Sequence, residues 1–162
     1  MQDIASWRDE ILALSDIPQD DDESVPLREA ERRFNRFVEL VDRIKGDDPD
    51  TVFLTLMETL KDQDDYGAYE GVFEALQHLQ PARRGRLIAD GMLPLLRRAP
   101  DLAGDVLTQV ALDTDEVVAA FNRACAERAL PEERRELSDF IAAQEHDGWL
   151  SHEAKRGRLR FT

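Results

Sequence analysis

The chain has 162 residues, of which 42% are apolar and 35% charged, with a formal net charge of −14. Enough apolar residues are present to exclude wholesale disorder and to build a core at this length. The charge argues against nucleic acid or an anionic membrane as partner and favours a basic macromolecule. The only cysteine, Cys125, rules out an intramolecular disulfide and suits a reducing compartment. Met1-Gln2-Asp3-Ile4 lacks the basic and apolar regions of a signal peptide, and no stretch approaches a membrane span, so a cytoplasmic location is expected. The charge is also lopsided. Residues 1–80 hold 21 Asp+Glu against 8 Lys+Arg, a net of −13, and residues 81–162 hold 14 against 13, a net of −1.

Apolar residues recur at helical spacing almost throughout, and no segment alternates as a strand does. Ile4, Trp7, Ile11 and Leu14 predict a short first helix, and residues 16–24 an acidic loop. Pro26 opens a long helix with the stripe Leu27, Phe34, Phe37, Val38, Val41 and Ile44, and Gly46 is its stop. Asp48 as N-cap and Pro49 as first helical residue open the next, with Val52, Phe53, Leu56, Met57 and Leu60 inside. A turn over Lys61–Asp65 leads to a helix that places Tyr66, Tyr69, Val72, Phe73, Leu76 and Leu79 on one side.

Pro81 opens a helix in which Gly91 and Pro94 predict a kink or break. Pro100 opens another, containing Leu102, Val106, Leu107 and Val110. Thr114 is the N-cap for a helix burying Val117, Val118, Phe121 and Cys125. Pro131 opens the last, with Leu137, Phe140 and Ile141 inside and Glu132 and Glu133 in the first turn, where the helix dipole favours them. The pattern assigns no structure to the tail, 147–162. The fold class expected is therefore all-α, in a single domain over 1–162.

Helix starts at Pro49, Pro81 and Thr114 lie 32–33 residues apart. That period predicts antiparallel hairpins stacked as a short HEAT-like array, with an irregular helical bundle as the alternative. In such an array the loop at Asp16–Glu23 and the turn at Lys61–Asp65 share one edge. The carboxylates expected there to bind a partner are Asp20, Asp21, Asp22, Glu23, Asp62, Asp64 and Asp65, with Glu70 and Glu74 on the polar face of the helix that follows. A few rim charges of this kind steer association and anchor Arg or Lys. Asp64 or Asp65 also serves as a helix N-cap, and the rings of Tyr66 and Tyr69 are expected inside.

No catalytic, cofactor or metal motif is present. Asp20-Asp21-Asp22-Glu23 has neither the alternating ligands nor the glycine of a calcium loop. His78, His146 and His152 lack the spacing of a zinc site. Cys125 sits on an apolar face, where a buried thiol is the default. The basic run Lys155-Arg156-Gly157-Arg158-Leu159-Arg160 has three readings: pairing with the protein's own acidic surface, a mobile end, or nucleic-acid binding.

Val41-Asp42-Arg43-Ile44 through Pro94-Leu95-Leu96-Arg97-Arg98-Ala99-Pro100 resembles bacterial immunity proteins of polymorphic-toxin and contact-dependent growth inhibition systems. The matching features are Asp62-Gln63-Asp64-Asp65 at a helix end, then Tyr66-Gly67-Ala68-Tyr69-Glu70 and Phe73-Glu74-Ala75-Leu76. A Leu-Pro-x-Leu helix, Leu93-Pro94-Leu95-Leu96, runs on to Ala99-Pro100. The resemblance implies an all-helical, non-catalytic protein that binds and neutralises a cognate toxin, with the segment Asp62–Glu70 carried over as toxin-binding. A basic nuclease toxin suits the charge, since an acidic inhibitor competes with its substrate. The alternatives are an acidic helical-repeat adaptor without a toxin partner, and an enzyme using clustered carboxylates and a divalent metal.

Overall fold

The computed structural model describes residues 3–19 and 24–161. Among them are eight helices and no strand: α1 (Ile4–Leu14), α2 (Leu27–Asp42), α3 (Asp50–Thr59), α4 (Ala68–Gln77), α5 (Pro81–Arg98), α6 (Pro100–Leu112), α7 (Asp115–Arg128) and α8 (Pro131–Asp147). The all-α expectation holds. The chain divides into two compact units, Met1–Leu79 and Gln80–Thr162.

In the first unit α1 packs on α2 and α3, and α4 packs on α2 and α3. Asp3 starts α1 by accepting the amides of Ala5 and Ser6 at 3.1 and 3.3 Å, which satisfies two of the helix's orphan donors. The core is formed by Ile11, Phe37, Phe53, Leu56, Leu60 and Val72, each fully buried. Each such side chain contributes roughly 1.5–3 kcal/mol of transfer free energy. At the edge of this core the indole Nε1 of Trp7 donates to Leu40 O at 3.4 Å. Arg36 ties α1 to α2 by a two-pronged ion pair with Glu10, at 2.6 and 3.0 Å.

Two local expectations are corrected here. Pro49, not Asp48, stands in the N-cap position of α3, because Asp48 turns back to accept the Lys45 amide at 2.8 Å and closes the preceding turn. Leu27 begins α2 but is 75% exposed. The sixteen residues of α2 span about 24 Å at 1.5 Å per residue, against about 15 Å for the ten of α4. The apolar stripe thus runs on past its cover.

In the second unit α5 packs chiefly on α7 and also on α6 and α8. At Gly85 the helices approach so closely that a Cβ would lie 2.3 Å from Val117 O, so only glycine fits. Of the kink or break expected at Gly91 and Pro94, the break does not occur: α5 runs from Pro81 to Arg98 with Pro94 inside it. Proline removes one hydrogen bond, but Met92, Leu95 and Leu96 are buried on both sides of it, and their packing holds the helix together. Thr114 caps α7 as expected, accepting the Val117 amide at 3.4 Å.

The tail is not helical, yet it is fastened down. Leu150 and Leu159 are buried. Phe161 meets Phe121 edge-on, with centroids 6.3 Å apart and planes at 68°, a favoured aromatic geometry. Trp149 lies over Gly104 of α6. Of the three readings of the basic run, pairing within the protein is the one observed. Arg158 donates to Ala111 O and Asp113 O at 2.5 and 3.0 Å and reaches Asp115 at 2.5 Å. Arg160 grips Glu145 at 3.0 and 2.6 Å.

Candidate functional site

The acidic edge of the first unit is assembled by contacts between the loop after α1 and the turn between α3 and α4. Gln19 and Asp64 exchange hydrogen bonds, Gln19 Nε2 to Asp64 O at 3.1 Å and Asp64 N to Gln19 Oε1 at 3.2 Å. Gln63 Nε2 donates to Ser15 O at 2.8 Å, and Lys61 forms an ion pair with Asp16. The described part of the loop, residues 16–19, thus lies beside the turn.

Tyr69 holds the turn from beneath. Its ring is buried, and its hydroxyl accepts from Lys61 N at 3.0 Å and Gln63 Nε2 at 2.8 Å. The hydroxyl oxygen also lies 3.3 Å from the carbonyls of Thr59 and Lys61, to one of which it can donate. A buried tyrosine needs such partners, and here they fix the turn's backbone. Tyr66 does not behave this way. Its ring is 46% exposed, correcting the expectation that both rings pack inward. The cause is backbone geometry: Tyr66 has φ +50° and Gly67 φ +87°, so helical rotation begins only at Ala68 and Tyr66 is off the stripe.

The expected site residues separate into three groups. Asp62, Asp64 and Glu70 are exposed on the turn and the first turn of α4. Glu74 is exposed one helical turn further along and borders a small cleft with Ile44 and His78. No cation pairs with these four among the described residues. Asp65 is half-buried and committed to the helix end, its carboxylate accepting the Tyr69 amide at 2.7 Å. Asp20, Asp21, Asp22 and Glu23 lie outside the described residues.

Five of the unit's arginines pair away from the turn. Arg8 pairs with Glu58, Arg32 and Arg33 with Glu29, Arg36 with Glu10 and Glu39, and Arg43 with Glu39. The two arginines beside Glu29 hold its carboxyl down at about 2. These five arginines are thus spent on other carboxylates, while Lys61 of the turn itself pairs with Asp16 of the loop.

Burial, and after it the charge of Asp90, pushes the Cys125 thiol up to about 12, so no reactive thiolate forms near neutrality. Among the described residues no three His, Cys, Asp or Glu side chains come together as a metal-holding group. No helix among them is long and apolar enough to cross a membrane. The residues that sequence reasoning missed are those beside the edge: the outward Tyr66, the overhanging Leu27, and Gln19 and Gln63, which join loop to turn. The Tyr66-Gly67 pair was the available signal, since glycine before a helix marks a left-handed turn. No protein-family model, curated protein or solved structure matches this chain.

Proposed function

We propose that this chain is a stoichiometric binding protein that captures a basic protein through the acidic edge at Asp62, Asp64 and Glu70. With the resemblance noted above, its role is that of a cytoplasmic immunity protein neutralising a cognate toxin domain. The HEAT-like stacking of its hairpins would set loop and turn on the capturing side. The observation that carries the binding reading is the state of those carboxylates. They are exposed and form no ion pair among the described residues, on a turn and first helical turn fixed from below by Tyr69 and from the side by Gln19 and Gln63. A fixed turn presents charge with little ordering cost on binding, and unpaired carboxylates are available to Arg or Lys.

The test is co-expression with the toxin domain encoded immediately upstream, read as cell survival and as a one-to-one complex on purification. Survival lost on deleting this chain supports the reading, and failure of the two proteins to associate overturns it. Several unrelated partners in place of one toxin would favour an adaptor. Within a confirmed complex, changing Asp62, Asp64 and Glu70 together to Asn, Asn and Gln should slow association about tenfold at low salt and flatten its salt dependence. An unchanged rate would remove electrostatic capture from the mechanism.

A further inference from the structure

Beside the acidic edge lies an apolar groove of about 300 Å³. Its walls include Ile17, Leu27, Ala30, Phe34 and Tyr66, and its only charged lining residue among those described is Glu31. Leu27, 75% exposed, and Tyr66, 46% exposed, are two of the five large apolar residues left outside among those described. That two of five meet at one groove makes it a patch rather than scattered exposure. Tyr66 is moreover the only non-glycine residue with positive φ among those described, a conformation costing about 1–2 kcal/mol at a bulky residue. The backbone thus bears a cost at the residue whose ring is turned toward this groove.

We infer that the groove receives a large apolar side chain from a basic segment of a protein partner, whose flanking Lys or Arg residues engage Glu31 and the carboxylates of the neighbouring turn. The inference rests on reading the acidic edge as a partner surface and adds the apolar anchor that such a surface needs. Charge selects the occupant. A second copy would bring a unit of the same large negative charge against this one, so self-association is opposed. None of the arginines of α2 lines the groove, and Arg32 and Arg33 are held by Glu29. The volume is at the low end of the roughly 300–1,000 Å³ of ligand pockets, and the exposed walls enclose a side chain better than a whole small molecule. Rim charge then supplies steering, and the buried anchor supplies residence time.

The probe is a short labelled peptide with one Leu-Phe pair between lysines, compared with the same peptide carrying Ser-Ser. Binding is followed by anisotropy, and the site is mapped by amide shifts on the full chain. The Leu-Phe peptide should bind at least tenfold more tightly and shift the amides of Ala30, Phe34 and Tyr66. Leu27→Ser and Tyr66→Ser should each weaken it severalfold with little change in salt slope. Both positions are exposed, and circular dichroism verifies that the variants fold. The Asp62, Asp64 and Glu70 variant should weaken both peptides and flatten the salt slope. Equal affinity for the two peptides, or shifts confined to α4, would overturn the groove assignment. If the carboxylate variant alone weakens binding, the acidic-edge reading stands and the groove fails. If no variant changes binding, both fail. Dimerisation abolished by Leu27→Ser would instead assign the groove to a second copy and overturn the inference.

Discussion

Arg84 carries a guanidinium almost wholly inside the second unit, its side chain 8% exposed against 13% for Asp113. The pair meets at 2.8 Å, and the Asp113 carboxylate also accepts the Thr114 amide at 2.7 Å, just ahead of α7. Desolvation makes such a pair a weak source of net stability, yet removing one partner takes away much of what compensates the other's buried charge. Asp113→Ala should therefore lower unfolding free energy by about 3–5 kcal/mol. The double change Arg84→Met with Asp113→Leu should cost much less, because neither buried charge then remains to be compensated. Urea denaturation of the three proteins decides it, and a double variant worse than the single one would refute the account. Cys125 gives a second residue-scale expectation. With its thiol pushed up to about 12, iodoacetamide at pH 8 should label it only after unfolding. Its burial was legible because Val117, Val118, Phe121 and Cys125 keep helical spacing. The exposure of Tyr66 was not, because spacing alone does not reveal the left-handed turn at Tyr66 and Gly67.

At the scale of elements, one carboxylate gathers several of the tail's contacts. Glu145 of α8 is buried and accepts from Arg160 at 3.0 and 2.6 Å and from the Gly157 amide at 2.8 Å. The Arg160 bonds hold its carboxyl below the usual glutamate range despite burial. A depressed carboxyl contributes stability that is present above the ordinary value of about 4.3 and lost as pH falls through the lower folded value. As pH falls below about 4.3 the amides of Gly157 and Arg160 should thus lose exchange protection. Glu145→Gln should cause the same loss at pH 7 while the amides of α3 stay protected. Retained protection in that variant would place the tail's anchorage in Leu159 and Phe161 instead. Helices were readable from apolar period and prolines, since a helix makes its own backbone bonds. The tail was not, because its order comes from distant groups such as Asn122, which bonds Arg158 O at 2.9 Å and the Arg160 amide at 3.0 Å. Pro94 failed as a breaker for a related reason: burial of Met92, Leu95 and Leu96 outweighs one missing hydrogen bond.

For the molecule as a whole, the carboxylates proposed for capture should also oppose folding. Residues 1–80 carry a net −13, while the ion pairs within that region are between largely exposed groups. Exposed pairs contribute about 0–1 kcal/mol each and weaken with salt, whereas like-charge repulsion acts over the Debye length. That length shrinks from about 30 Å at 0.01 M to about 8 Å at 0.15 M salt. Repulsion among so many uncompensated carboxylates should dominate, so Tm at pH 7 should rise by about 2–4 °C across that range, equivalent to about 1 kcal/mol. A fall in Tm would show that the ion pairs outweigh the repulsion. The variant with Asp62, Asp64 and Glu70 neutralised supplies the internal control. It should be more stable than the parent at 0.01 M salt, gain less on adding salt, and associate more slowly with its partner. If neutralising the three leaves both stability and its salt increment unchanged, the edge is not where the repulsion is concentrated. Greater stability joined to slower capture would instead identify these residues as ones retained for binding at the expense of folding, the relation expected where function needs an unfavourable local arrangement.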